Sequence, residues 1–353
     1  MYSPARILII GTGAVGTYLG GSLSLAGYQV TFLDRDRDLK KLRQDGIFLV
    51  KNGKKHRVEP ASVIGSLSDH QVSSYDWGVL AVKAYHLQAL VESLKPFQHQ
   101  IPPLLTILNG VESETALQSF LGSERVIAGT VTSSIAREKK GTAVIEKERG
   151  VGLSRNHDLS KLIFDQLQLS GIKFRLYSNP SEMKWSKLVS NLMGNASSAI
   201  LEMTPGDIYR HPDLYRLEAS QLREALQVMS AMGFKPVNLP GVPVKLLSLI
   251  LRYLPDRISK PLLQTAVSSG RGEKMPSFFL DLEHGKDQSE VDALNGAVVR
   301  QAEKLDLPHP VNQFLRSILL KIHSGKILRN EFKHQPDKLV KEFRLQQNQR
   351  ITS

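Results

Sequence analysis

Arg6-Ile7-Leu8-Ile9-Ile10-Gly11-Thr12-Gly13-Ala14-Val15-Gly16 decides how this chain is read. Ile7 to Ile10 predict a buried first strand. The residues from Ala14 onward predict a helix whose unpaired first N–H groups point back at the glycine loop. In a G-x-G-x-x-G segment Gly11 permits a tight turn, Gly13 lets the backbone approach a diphosphate, and Gly16 lets helix and strand pack closely. Glycines also punctuate ordinary turns, so the loop alone is weak. Its context is stronger: the next apolar run, Val30-Thr31-Phe32-Leu33, ends at Asp34, roughly 20 residues past the loop, where a second strand meets an adenosine ribose. The expectation is a dinucleotide site built from Gly11, Thr12, Gly13, Ala14, Val15 and Gly16, with Asp34 at its ribose end.

Downstream, short β-branched runs alternate with helical stretches, the pattern of a parallel sheet with crossover helices. Trp77 to Val82 ends at Lys83, and Leu104 to Leu108 ends at Asn109-Gly110, so two polar side chains stand at carboxyl ends of predicted strands. That edge of an open α/β sheet faces the ligand crevice, which makes Lys83 and Asn109 binding candidates. A snorkelling surface lysine and a turn-forming Asn-Gly pair are the plainer alternatives.

Near residue 178 the texture changes. Asn179 as N-cap, Pro180 at the first helical position and Glu182 in a capping box open a mostly helical half. Asp213 to Met232 reads as one helix, and Ser289-Glu290 starts another with the apolar stripe Val291, Leu294, Val298, Ala302 and Leu305. Between them, prolines from Pro236 to Pro261 break up a stretch holding the apolar run Val244 to Leu254. The fold class expected is α/β plus all-α: a Rossmann dinucleotide-binding domain over 1–178, a helical domain over 179–328 and a polar tail over 329–353.

With 353 residues the chain has room for two domains, and its 41% hydrophobic content is ordinary for a globular protein. The start lacks the layout of a secretory signal and no stretch is long and apolar enough to span a bilayer, so a cytoplasmic location is expected. The absence of cysteine removes disulfides, thiolate nucleophiles and cysteine-bound metals together. Ten histidines show no ligand spacing, and no metal site is expected. The net charge of +12 suits nucleic acid, a membrane surface, or a phosphorylated cofactor with an acidic substrate. No nucleic-acid module is recognisable, so neither nucleic acid nor membrane is expected as a partner. Part of the excess lies just past the second predicted strand, in Arg35, Arg37, Lys40, Lys41 and Arg43.

In the stretch Lys184 to Asn195, the polar residues Lys187, Asn191 and Asn195 recur every fourth position beside Leu188, Val189, Leu192 and Met193. On a helix they share one face, which either lines a wet cleft or is simply solvated.

These pieces together resemble the ketopantoate reductases, also called 2-dehydropantoate 2-reductases. The resemblance is carried by Gly11 to Gly16, Val82-Lys83-Ala84-Tyr85, Asn109-Gly110-Val111, and Lys184-Trp185-Ser186-Lys187 with Asn191 and Asn195. It continues through Ser277 and Asp281 to Ser289-Glu290-Val291-Asp292 and Leu294-Asn295-Gly296. It implies a substrate cleft between the two domains and hydride transfer from a nicotinamide cofactor to the ketone of a 2-oxo acid, in the family ketopantoate. Lys187 then supplies the proton or positive charge for the developing alkoxide, and Glu290 helps bind and order the site. Asn109, Asn191, Asn195 and Ser277 match groups contacting substrate, while Lys83 and Asn109 lie at the cofactor boundary. The chain departs from compact members by one extra residue between Ser277 and Glu290, by an insertion around 236–271, and by Ala196 where proline is common.

Cofactor choice is mixed. Asp34 suits the ribose hydroxyls of NAD and would repel a 2′-phosphate, whereas Arg35 matches the family arginine associated with NADP. The balance favours NADPH, with NAD the alternative. A homodimer stays open. Rival readings are a reductase of another 2-oxo acid or ketone and a non-catalytic NADP-binding regulator.

Overall fold

The computed structural model describes residues 4–69, 75–271, 274–286 and 288–352. It divides into two compact units, Met1–Lys184 with Leu239–Val242, and Trp185–Asn238 with Pro243–Ser353.

The N-terminal unit carries strands β1 (Arg6–Ile10), β2 (Gln29–Leu33), β3 (Ile47–Lys51), β4 (Lys54–Val58), β5 (Ser62–Ile64) and β6 (Trp77–Leu80). They are followed by β7 (Leu104–Thr106), β8 (Val126–Val131), β9 (Ser134–Lys139), β10 (Thr142–Lys147), β11 (Val151–Ser154) and β12 (Phe174–Tyr177). Between strands run α1 (Ala14–Leu25), α2 (Asp36–Asp45), α3 (Leu87–Leu94), α4 (Ser113–Leu121) and α5 (Ser160–Leu169). The main sheet has the order β12-β11-β8-β7-β6-β1-β2-β5, parallel except where β11 runs against β8. From β1 the chain goes one way to β2 and β5 and then the other way to β6, β7 and β8. The carboxyl ends of β1 and β6 therefore mark a topological switch point, where open α/β sheets bind ligands.

A smaller sheet, β4-β3-β10-β9, covers the other side of α1. Helix α1 is thin where the two sheets flank it. A Cβ on Gly20 would lie 2.6 Å from the Phe32 ring of the main sheet, and one on Gly21 would lie 3.2 Å from Val58 of the smaller one. The core on this face joins Ile7, Ile9, Tyr18, Leu19, Phe32, Leu49 and Trp77, all nearly inaccessible to solvent. Strands β6 and β7 end at Leu80 and Thr106, a little short of the predicted ends, and one further bond continues each ladder, from Ala81 N–H to the Ile10 carbonyl at 2.9 Å and from Ile107 N–H to the Leu80 carbonyl at 3.2 Å.

Helix α6 (Pro180–Leu192) begins in the N-terminal unit and continues into the second. Asn179 caps it, its Oδ1 accepting the N–H groups of Ser181 at 3.0 Å and Glu182 at 3.2 Å. The second unit goes on with α7 (Asn195–Leu201), α8 (Pro205–Arg210), α9 (Pro212–Ala231), α10 (Val244–Tyr253) and α11 (Asp256–Arg271). It closes with α12 (Ser277–Glu283), α13 (Val291–Lys304), α14 (Pro310–His323) and α15 (Pro336–Thr352). Helix α9 is central: α8, α10, α13, α14 and α15 all pack on it. Glu224 of α9 accepts the first N–H groups of α14, from Val311 at 2.8 Å and Asn312 at 2.9 Å, which satisfies donors that a helix start leaves orphaned.

The proline-broken stretch forms α10 and α11; α10 buries Val244, Leu247 and Leu251 and exposes Leu246, Leu249 and Tyr253. The segment 329–353, read as a polar tail, contains a packed helix. Leu339 and Val340 are buried, the Phe343 ring lies 5.2 Å from that of Phe314, and Leu345 is exposed. No helix among the described residues is long and apolar enough to cross a membrane.

Candidate active site

The chain passes from β1 to α1 through Gly11-Thr12-Gly13. Gly11 has φ of +103°, and a Cβ there would stand 2.9 Å from the Ala81 carbonyl oxygen. A Cβ on Gly16 would lie 1.9 Å from the Gly11 carbonyl oxygen. Both glycines are required by the protein's own packing. Gly13 differs: its φ of −73° and ψ of −177° are open to any residue, and a Cβ there would meet the Ala81 oxygen at 3.9 Å, ordinary contact. The space beside Gly13 lies at the positive end of α1, where the N–H groups of Ala14, Val15 and Gly16 lack a carbonyl one turn earlier. That donor set and that room fit a dinucleotide diphosphate.

Asp34, just past β2, is tied to this loop. Its Oδ2 accepts the Thr12 N–H at 2.8 Å, the Thr12 hydroxyl, and the Lys140 ammonium at 2.7 Å, while its Oδ1 accepts the Arg35 N–H at 2.8 Å. Burial alone would raise the Asp34 pKa. The hydrogen bonds from Lys140 and Thr12 and the Lys140 charge outweigh it and hold the carboxyl below its ordinary value. Arg35 occupies the cap position of α2, and its exposed side chain lies 3.6 Å from Asp38.

Lys83 stands at the start of a 3₁₀ turn over Ala84–His86, and Asn109 in the loop after β7; both are half-buried. The loop just before Asn109 is held by a lysine that was not among the site candidates. Lys184 is buried, donates to the Leu108 carbonyl at 2.7 Å and pairs with Glu114 at 2.7 Å; Glu114 also accepts the Thr106 hydroxyl at 2.6 Å. Its signal in the sequence was a charge inside an otherwise buried run, Met183-Lys184-Trp185-Ser186.

In the second unit, Lys187 and Asn191 lie one turn apart on α6, both half-buried. The expected single helical face does not extend to Asn195. Gly194 takes φ of +63°, the left-handed region in which a glycine lacks the Cβ penalty, and ends the helix so that Asn195 starts α7. From there Asn195, buried, reaches α12: its Oδ1 accepts the Phe278 N–H at 3.1 Å and its Nδ2 donates to the Ser277 hydroxyl at 3.4 Å. Glu290, also buried, occupies the cap position of α13. Between α12 and α13 Lys286 forms an ion pair with Asp281; Asp287, between Asp281 and Ser289, lies outside the described residues. Direct hydrogen bonds thus join Asn195 to Ser277, and Thr12 and Arg35 to Asp34.

Strand order and glycine loop define a protein of the Rossmann dinucleotide-binding class. The family model described as "Ketopantoate reductase PanE/ApbA" matches residues 7–155, and the one described as "Ketopantoate reductase PanE/ApbA C terminal" matches residues 179–323. The chain belongs to the ketopantoate reductase family of oxidoreductases. It is 25% identical over 324 residues to the 2-dehydropantoate 2-reductase of Archaeoglobus fulgidus, covering 91% of this chain and 98% of the relative. The fold is similar to the crystal structure of a PanE/ApbA family ketopantoate reductase from Ralstonia eutropha, with TM-score 0.76 and 23% identity over 91% of this chain and 99% of that one. It is also similar to D-mandelate dehydrogenase solved with NADH and anilino(oxo)acetate, with TM-score 0.74 and 19% identity over 91% of this chain and 99% of that one.

Proposed function

We propose that this protein reduces 2-dehydropantoate (ketopantoate) to (R)-pantoate with NADPH, in pantothenate biosynthesis. The observation that carries the reading is the junction of Asn195 with Ser277 and Phe278. It unites two expected substrate contacts, 82 residues apart, in a chain whose two halves match the two family models.

When bound, NADPH supplies the hydride for the ketone carbon. The loop from Gly11 to Gly16, with Lys83 and Asn109, holds the cofactor, and Asn109, Asn191, Asn195 and Ser277 orient the substrate. Lys187 directs its ammonium at the ketone oxygen, stabilises the negative charge that grows there, and gives up a proton to complete the alcohol. Glu290 accepts a hydrogen bond from the substrate and keeps the site ordered. Hydride to carbon and proton to oxygen together account for the two hydrogens gained.

Initial oxidation of NADPH by the purified protein with ketopantoate, beside the Lys187→Ala variant, tests this. Saturable turnover that collapses in the variant supports substrate and lysine together. A protein that binds NADPH but turns over ketopantoate no faster than the variant removes this substrate and directs the search to other 2-oxo acids.

A further inference from the structure

We propose that Lys140 determines cofactor choice, by cancelling the charge of Asp34 and presenting an ammonium to the 2′-phosphate of an adenosine ribose. This rests on reading the Gly11–Gly16 loop as a dinucleotide site, and deepens it.

Lys140 reaches Asp34 across 106 positions of sequence because the turn between β9 and β10 is seated on the segment around α2. The Gly141 carbonyl accepts the Phe48 N–H at 2.8 Å, and a Cβ on Gly141 would lie 2.8 Å from Leu42. Lys139 pairs with Asp45, at the end of α2, at 3.2 Å. The turn is therefore held by backbone, packing and charge. Lys140 lands 2.7 Å from Asp34 and 3.2 Å from Asp38 with its side chain only 15% exposed.

An NAD-type site uses the acidic residue after the second strand to accept ribose hydroxyls. Here the Thr12 N–H, the Thr12 hydroxyl and the Lys140 ammonium fill Oδ2, and Oδ1, which accepts the Arg35 N–H, keeps one lone pair, so the carboxylate no longer offers both oxygens to a pair of ribose hydroxyls. The carboxylate braces the glycine loop. The local charge points the same way: Asp34 and Asp38 oppose Lys140 and Arg35, giving a neutral corner that would be net negative without Lys140. A negative corner rejects a phosphate dianion. A neutral one, with an exposed guanidinium and an ammonium at its edge, accepts it.

Calorimetric titration of the full chain with 2′,5′-ADP and with 5′-ADP, for wild type, Lys140→Met and Lys140→Arg, tests this without any ketone substrate. Wild type is expected to favour the 2′-phosphorylated nucleotide by about tenfold or more, the worth of a charge-assisted hydrogen bond. Lys140→Met should lose most of that preference while its affinity for 5′-ADP stays within about twofold, and Lys140→Arg should keep it. Thermal melts of the variants report whether they are folded. A preference unchanged in Lys140→Met, equal loss of both nucleotides, or a wild type favouring 5′-ADP overturns the assignment of Lys140. A wild type that binds neither nucleotide overturns the dinucleotide reading itself, and the proposal with it. Failure to reduce ketopantoate touches neither.

Discussion

The carboxylate of Glu218 on α9 accepts the backbone N–H of Gly194 at 2.7 Å, in the turn that separates Asn191 on α6 from Asn195 on α7. The hydroxyls of Ser197 and Tyr209 donate to the same group, which is fully buried. Burial raises the Glu218 pKa above the ordinary 4.5, against the hydrogen bonds from Ser197 and Gly194. A carboxyl whose folded pKa is raised contributes stability that is complete below its unfolded pKa and is lost as pH rises through the folded value. Glu218→Gln should remove that dependence, so the stability difference between wild type and variant should favour wild type most in acid and shrink as pH rises from about 4.5 upward. Urea unfolding at several pH values measures it; parallel profiles would show that Glu218 does not titrate with folding.

Gly13 and Gly16 should separate binding from folding. Alanine at Gly16 must displace the Gly11 carbonyl, which a Cβ would approach to 1.9 Å, and should cost about 1–3 kcal/mol or more. Alanine at Gly13 meets ordinary contact and an ordinary backbone conformation, so stability should change by less than about 0.5 kcal/mol while NADPH affinity falls sharply. Melting curves and fluorescence titration give the two readouts. NADPH binding by Gly13→Ala at wild-type strength would show that the diphosphate lies elsewhere.

Lys184 and Glu114 form a buried pair, with side chains 5% and 12% exposed. Lys184→Met leaves the Glu114 carboxylate without its cation, a loss of about 3–5 kcal/mol. The double variant Lys184→Met, Glu114→Gln should recover much of it, because the uncompensated charge goes. Denaturant unfolding of the single and double variants decides; equal instability of both would mean that packing of the lysine stem, not the ion pair, holds the loop before Asn109.

Asn195 has two roles that two substitutions can divide. Asn195→Ala strands the buried Phe278 N–H and should cost about 1–3 kcal/mol of stability. Asn195→Asp keeps an acceptor for that N–H but removes the amide donor that faces Ser277. The aspartate variant should therefore stay folded with a KM for ketopantoate raised about tenfold or more, the worth of a lost hydrogen bond to substrate. A KM unchanged in folded Asn195→Asp would restrict Asn195 to a structural task.

Local pattern carried much of this protein. Continuous apolar runs gave β1 and β2, glycine spacing gave the loop between β1 and α1, and Asn179-Pro180 marked the start of α6, because each of these is decided within a few residues. The apolar stripe of α13 is likewise written in its period, with Val291, Leu294, Val298 and Ala302 all buried. Even Glu218 left a trace, an acid on the same helical face as Leu214, Leu222 and Ala225.

Tertiary structure decided the rest. Nothing near Asp34 in the chain announces Lys140, and nothing near Lys184 announces Glu114, since those partners meet only when distant strands and helices are assembled. The break at Gly194 runs against the fourfold spacing of Lys187, Asn191 and Asn195, because a glycine permitted the left-handed turn and a buried carboxylate from α9 fixed it. The sequence by itself determined a Rossmann loop, a helical second half and a list of polar candidates, through periodicity and turn chemistry that act over a few residues. Which candidates touch, and which charges cancel, was settled by contacts between elements up to a hundred or so residues apart, where electrostatics and close packing act through space and leave no local period to read.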